Sequence, residues 1–363
     1  MKIVVPKELT AFESRVALTP ETVKKIVDLG YKVAVERGSG AGAHLTDEQF
    51  SAAGATIAKD QKTLCKDAEV VIRVSPPSSA EIKLLAPGTV ILGALRPHDG
   101  AARLKAFVTQ NVTALAMELL PRISRAQSMD ILSSQSNLAG YRAVIEAAFE
   151  FGRSFPLMMT AAGTVPPARV LILGAGVAGL QAIATARRMG AVVSAFDVRP
   201  AVKEQVESLG AVFVDVPDAM AEGAGGYAKE MDDNAKQRQR EKLAEVIALH
   251  DIVITTAQIP GKTAPILIDA AMVESMRQGS VIVDLASETG GNCALTEKDK
   301  ISIHNGVKVI GYTNMPSRIA YDASHVFARN IYHFLKLLMG EGGQPCNWDD
   351  EIIQATILNR ASL

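Results

Sequence analysis

Short continuous apolar runs alternate with stretches of helical periodicity through the first third of the chain. The runs at 2–5, 32–36, 70–74, 90–92 and 112–116 are rich in Val, Ile and Leu and predict strands, while 20–29, 47–53 and 80–85 predict helices. Strands separated by helices imply a parallel sheet covered on both faces, which explains why these runs are apolar throughout and do not alternate. A second series of strands is predicted at 166–173, 191–195, 212–214, 252–255, 281–284 and 307–311, with a helical connector at 139–150 between the two series. The amphipathic stretch 325–338 has no strand of its own to pack on, so it is expected to return to the first domain. The predicted fold class is therefore α/β, with two Rossmann-like domains on parallel sheets: a discontinuous one formed by 1–134 and 316–363, and a second over 135–315.

Composition narrows the function. With 38 basic against 39 acidic residues the net charge is −1, so there is no electrostatic footprint for nucleic acid or an anionic membrane surface. Hydrophobic residues make up 48% of the chain, yet no uncharged apolar run of about 18 residues predicts membrane insertion. The N-terminal MKIVVPKELT reads as a strand and turn, so no signal peptide is expected. Cys65, Cys293 and Cys346 stand far apart and fit a reducing compartment better than a disulfide framework. His44, His98, His250, His304, His325 and His333 show no metal-ligand spacing, and no metal is expected.

The clearest chemical signal follows the strand at 166–173. Gly174, Gly176 and Gly179 lie at GxGxxG spacing, with Val177 and Ala178 opening the helix beyond them. In such a turn the first glycine permits the tight bend, the second lets backbone approach a pyrophosphate, and the third lets helix and strand pack closely. A lone GxGxxG is weak evidence, but here the next strand ends in Asp197, Val198 and Arg199, roughly 20 residues further on, where a carboxylate meets the adenosine ribose hydroxyls. A carboxylate there favours NAD(H) over NADP(H); Arg199, which could accept a 2′-phosphate, is expected to point to solvent.

A polar stretch, PRISRAQSMD at 121–130 followed by ILSSQSNLAGY at 131–141, precedes the second series of strands. Arg122 and Asp130 could pair with each other or clasp a nicotinamide carboxamide, with Gln127 and Ser133 supplying donors and acceptors. Spacing alone leaves a surface loop with an incidental ion pair equally open. A third segment, 223–240, is first glycine-rich and then densely charged; the charged part reads as a solvated helix face, and the Gly225-Gly226-Tyr227 part as a lid over a ligand.

From 117 to 141, and along nearly its whole length, the chain resembles the NAD(H)-binding alpha subunit (domain I) of proton-translocating NAD(P)+ transhydrogenases. That resemblance implies that Arg122, Gln127, Asp130 and Ser133 hold the nicotinamide beside Ser128 and Met129. It also implies that Tyr227 lies on a closing loop, and that Val177, Gly226 and Gln239 approach the cofactor. At Gln258, in TTAQIPGK (255–262), the family usually carries leucine, so a polar contact or a lost one is expected. The resemblance further implies a homodimer and an NADP(H)-binding domain and membrane-spanning proton-channel subunit on other polypeptides. The activity it implies is Re/Si-specific transhydrogenation at the cytoplasmic face of the inner membrane.

Alanine dehydrogenase shares the ESRVALTP (13–20) and SVIVDLASETGG (280–291) runs. Its carboxylate-binding arginine would match Arg15, but its substrate lysine would fall at Ser75 in RVSPP (73–77) and its catalytic histidine near Ala94 in LGALR (92–96), with His98 close by. Deamination needs a proton-shuttling group, whereas hydride exchange between two nicotinamides does not. An amino-acid dehydrogenase and a non-catalytic NAD(H)-binding regulatory module are the alternatives.

Overall fold

The computed structural model describes residues 1–216, 233–259, 261–339 and 347–360. The chain folds into two compact units, Met1–Gln135 with Pro316–Leu363, and Ser136–Met315. It passes from the first to the second within one helix, Ile131–Glu150.

The first unit is built on a seven-stranded sheet in the order Ile357–Asn359, Thr113–Ala116, Val90–Gly93, Val70–Arg73, Lys2–Val5, Lys32–Glu36, Thr56–Ala58. Six strands run parallel, and Ile357–Asn359 adds an antiparallel edge against Thr113–Ala116. Every residue of Val70–Arg73, Val90–Gly93 and Thr113–Ala116 is buried, as the unbroken apolar runs require. The C-terminal helix Ala320–Met339 buries Phe327, Ile331, Phe334 and Leu338, spaced at one helical face, in the same core as Ile3, Leu18 and Leu115. The returning segment therefore completes the first unit, with a strand as well as a helix.

The second unit carries another seven-stranded sheet, in the order Val212–Phe213, Val192–Phe196, Arg169–Leu173, Ile252–Thr255, Val281–Asp284, Val307–Ile310, Ile301–His304. Only Ile301–His304 is antiparallel. Arg169–Leu173 has its sequence successor Val192–Phe196 on one side and Ile252–Thr255 on the other, so the winding reverses beside it. That reversal opens a crevice at the carboxyl ends of the strands, the place where open α/β sheets take ligands.

Several elements depart from the sequence reading. The helix expected at 80–85 is a single turn, Ser79–Ile82, because Pro87-Gly88 follows too soon for it to extend. The connector expected at 139–150 begins at Ile131, since Asp130 supplies a capping carboxylate ahead of it. The three-residue strands Thr56–Ala58 and Ile357–Asn359, and the hairpin Met158–Thr160 with Gly163–Val165, are too short to carry a readable period. The charged stretch does form a solvated helix face: along Asp233–Ile247, Gln237, Arg238 and Arg240 are exposed while Gln239 is buried.

Candidate functional site

The GxGxxG turn is set by backbone sterics. Gly174 has φ +101°, a conformation glycine adopts without strain. A Cβ on Gly179 would collide with the Gly174 carbonyl, and one on Gly140 of the connecting helix would collide with the Ala178 carbonyl. These two glycines are packing glycines. Gly176 is different: a Cβ there would stand in the open crevice, with Arg199 Nη2 at 3.9 Å its nearest neighbour. Its missing side chain leaves room above the N-terminus of the helix Val177–Arg188 and serves no internal contact. The cradle therefore fits the pyrophosphate of a dinucleotide, whose charge the free amides of that helix end would meet. Gly179→Ala is accordingly expected to cost about 1–3 kcal/mol or more of stability, whereas Gly176→Ala should leave the thermal midpoint nearly unchanged and weaken dinucleotide binding. Parallel melting and NADH titration of the two variants check this.

The crevice encloses about 780 Å³, within the ordinary range for a cofactor site. Among its lining residues are seven predicted from sequence: Gly174, Gly176, Asp197, Val198, Arg199, Gln239 and Gln258. Its apolar walls come from Ile259, Ile266, Leu267 and Met272. Val177 and Ala178 sit on the helix beyond the turn and do not line it. Gly226 and Tyr227 lie outside the described residues.

Asp197 is buried and saturated with donors. Its Oδ1 accepts from the Arg199 backbone N–H at 2.9 Å and from Arg199 Nε at 2.9 Å; its Oδ2 accepts from the Ala175 N–H at 2.7 Å and from Arg199 Nη2 at 2.8 Å. Arg199 thus folds back onto Asp197 and does not point to solvent as expected, because a buried carboxylate at this depth draws the neighbouring guanidinium onto itself. Burial alone would raise the carboxyl's pKa, but the Arg199 side chain and the two backbone N–H groups outweigh it and hold it below the usual aspartate value.

Sequence reading missed the opposite wall. Thr256 donates its hydroxyl to the Gly174 carbonyl at 2.9 Å, tying the end of the neighbouring strand to the glycine turn. Asn292, fully buried, holds the loop beyond it: Nδ2 donates to the Ala257 and Pro265 carbonyls, and Oδ1 accepts from the Ala257 N–H. Asp284 anchors Asn292 in turn, accepting from its N–H at 2.7 Å, from the Cys293 N–H and from Thr255 and Thr296 hydroxyls. The available signal was that Thr256 directly follows the strand Ile252–Thr255 and Asp284 ends the strand Val281–Asp284. Gln258 is exposed and donates to the Leu285 carbonyl at 2.8 Å.

The polar stretch belongs to the first unit. Residues Ser124–Met129 form a 3-10 turn that exposes Gln127 and Ser128; Arg122, just before it, is also exposed. Asp130 accepts from the Ser133 N–H at 2.9 Å and its hydroxyl at 2.5 Å, so these two residues join the turn to the first coil of the helix Ile131–Glu150. Met129, expected at the cofactor, has its side chain buried in the first unit's core, since an apolar group this close to the sheet gains more from packing than from a polar loop.

The dehydrogenase-like positions are differently employed. Arg15 forms a two-pronged pair with Glu13, through Nε at 2.8 Å and Nη2 at 2.7 Å, and gives Nη1 to Gln135 at 2.7 Å. Ser75 donates to the same Glu13 carboxylate at 3.1 Å. The Glu13 side chain is only 1% exposed, and since the ESRVALTP run is common to both enzymes this pair does not separate them. His98 is exposed. Burial raises the thiols of Cys65 and Cys293 to about 11, which removes them as nucleophiles. No group of three or more His, Cys, Asp or Glu residues that could hold a metal occurs among the described residues.

A parallel sheet with a glycine turn at its reversal point and an acid ending the next strand defines a Rossmann-type protein of the dinucleotide-binding kind. The alanine dehydrogenase/PNT N-terminal domain matches residues 4–139, and the C-terminal domain of the same family matches 143–362. The chain belongs to the alanine dehydrogenase/PNT family, on its transhydrogenase alpha-subunit branch. It is 57% identical over 370 residues to the first portion of the split NAD(P) transhydrogenase alpha subunit of Rhodospirillum rubrum, covering 99% of this chain and 96% of that protein. The crystal structure of a transhydrogenase from Sinorhizobium meliloti superposes with a TM-score of 0.88 at 44% identity, covering 99% and 98% of the two chains. An L-alanine dehydrogenase structure superposes at 0.83 with 26% identity, covering 99% and 96%.

Proposed function

We propose that this chain is the NAD(H)-binding component of a proton-translocating transhydrogenase. In that reading it exchanges hydride reversibly between NADH in its own crevice and NADP+ held on a partner domain, and the exchange is Re/Si-specific. The observation that carries the reading is the crevice at the sheet reversal, where the Gly176 cradle and the buried Asp197 carboxylate stand together.

The bound dinucleotide supplies the hydride donor or acceptor. Asp197 takes the ribose hydroxyls, its negative charge disfavouring a 2′-phosphate, and the amides after Gly176 take the pyrophosphate. Arg122, Gln127, Asp130 and Ser133 hold and orient the nicotinamide, with Gln127 facing the partner's nucleotide. Because hydride exchange between two nicotinamides transfers no proton, these residues work by orientation and by excluding water.

A membrane-spanning proton-channel subunit and an NADP(H)-binding domain complete the enzyme, and the chain docks peripherally on the cytoplasmic face. Among the described residues no helix is long and apolar enough to cross a membrane. A homodimer is supported by the hairpin beginning at Met158, where Leu157, Met158 and Met159 are exposed apolar residues that pairing of two copies would cover. The dehydrogenase alternative is disfavoured by Ser75 and Ala94, which stand where that enzyme's substrate lysine and catalytic histidine would fall. Titration calorimetry with NADH and NADPH tests the cofactor assignment: NADH is expected to bind at least about tenfold more tightly, a difference near 1.4 kcal/mol. Tighter NADPH binding would overturn it.

A further inference from the structure

The C-terminal helix Ala320–Met339 carries one buried amide, Asn330, on the helix that also buries Phe327, Ile331 and Phe334. A carboxamide buried this way is costly unless both of its ends are bonded, and a leucine would fill the space without that cost. Both ends are bonded, and both bonds go to the polar stretch. Asn330 Nδ2 donates to the Ser128 carbonyl at 2.8 Å, and its Oδ1 accepts from the Ser134 hydroxyl at 2.7 Å. The orientation of the amide is fixed by chemistry, because a carbonyl oxygen only accepts.

Ser128 directly follows Gln127, and Ser134 directly follows Ser133. Asn330 therefore bridges the end of the 3-10 turn and the first coil of the helix Ile131–Glu150, the two elements that present Gln127, Asp130 and Ser133. Met129 fixes the same short stretch from inside, buried in the core the helix shares. A second tie lies two helical turns away, where Gln135 Nε2 donates to the Ala323 carbonyl at 3.1 Å. Gln127 itself is exposed, so its placement depends on how firmly its neighbours are held.

We infer that Asn330 is a positioning residue for hydride transfer: its carboxamide clamps the Ser128 carbonyl and so fixes the aim of Gln127. The inference rests on the assignment of the polar stretch to the nicotinamide. Asn330 touches no substrate; it acts through Ser128. The clamp requires a donor at Nδ2, so Asn330→Asp keeps the shape and the Ser134 bond while replacing the donor with a negatively charged oxygen facing a carbonyl. When that carboxyl is protonated, its O–H restores the donation.

The test compares wild type, Asn330→Asp and Gln127→Leu in the reconstituted complex with a transhydrogenase NADP(H)-binding domain. It measures kcat and KM for hydride exchange from NADH to NADP+, NADH affinity and the thermal midpoint. Asn330→Asp should lower kcat about tenfold near pH 8 with KM for NADH within about twofold, the signature of misplacement without lost binding. Its kcat relative to wild type should recover as the pH falls, the ratio cancelling the pH dependence that both proteins share. Unchanged kcat in Asn330→Asp beside a defective Gln127→Leu would overturn the positioning role and leave the nicotinamide assignment standing. Wild-type rates in both variants would overturn that assignment and the inference with it. Loss of NADH binding and of the thermal midpoint together, with no recovery at lower pH, would mean a structural role alone and would also overturn the inference.

Discussion

Replacing Gln127 with leucine is expected to slow hydride exchange about a hundredfold, the order of loss that misplacing a reacting group by about 1 Å produces. The side chain is exposed on the turn Ser124–Met129, so the substitution removes no buried contact and should change stability by no more than about 0.5 kcal/mol. Leucine is one bond shorter but of comparable bulk and has no hydrogen-bonding group, so a loss of rate reports the amide's reach and hydrogen bonding more than its volume. NADH affinity should change little, because the proposed adenosine, ribose and pyrophosphate contacts are assigned to the crevice lined by Gly176 and Asp197. Stopped-flow exchange with an added NADP(H)-binding domain, paired with NADH fluorescence titration, separates the two quantities. A wild-type rate would remove Gln127 from the proposed machinery.

Replacing Asp197 with asparagine should weaken NADH binding about tenfold to a hundredfold and narrow or reverse the preference over NADPH. Bonds to a charged acceptor contribute about 1.5–3 kcal/mol, and the carboxylate is the group expected to take the ribose. Its four internal donors leave no site for a ligand, so one must yield. The backbone N–H groups of Ala175 and Arg199 are fixed, which leaves the Arg199 guanidinium as the donor that moves. In Asp197→Asn that guanidinium loses its counter-charge and becomes available to a 2′-phosphate. The pH dependence follows from the depressed carboxyl pKa. A group ionised more easily in the folded state stabilises it above the ordinary aspartate value of 3.8, and that contribution disappears only as the pH falls through the lower folded value. NADH affinity of the wild type should therefore stay flat from neutral pH down to about pH 4 as far as Asp197 is concerned. Calorimetric titration of both nucleotides against both proteins checks the selectivity and its pH range.

Local features of the fold were legible in the sequence. The glycine turn and Asp197 can be read because one steric rule and one strand length connect them, and the buried strands because parallel sheets need apolar residues on both faces. The helix Ala320–Met339 was legible as amphipathic, and its return to the first unit followed from its lack of a strand partner. What failed depended on tertiary neighbours. Thr256 lines the far wall of the crevice, with Asn292 and Asp284 holding the loop behind it, and only the spatial order of the strands brings Thr256 to Gly174 and Asn292 to Ala257. Arg199 was misread because nothing in its local sequence shows that Asp197 is buried enough to capture it. The burial of the Met129 side chain was not legible, because a polar loop need not turn every side chain outward. Asn330 looked like one polar residue in an apolar helix, and its meaning lies in Ser128 and Ser134, nearly 200 residues earlier.

The measurement that bears most directly on the proposed function is hydride transfer from NADH to NADP+ by this chain, with and without a transhydrogenase NADP(H)-binding domain, beside L-alanine-dependent reduction of NAD+. Exchange that appears only when the domain is added, with no alanine oxidation, is the predicted result. Alanine oxidation by the chain alone would contradict it, and would move attention to Arg15 and His98.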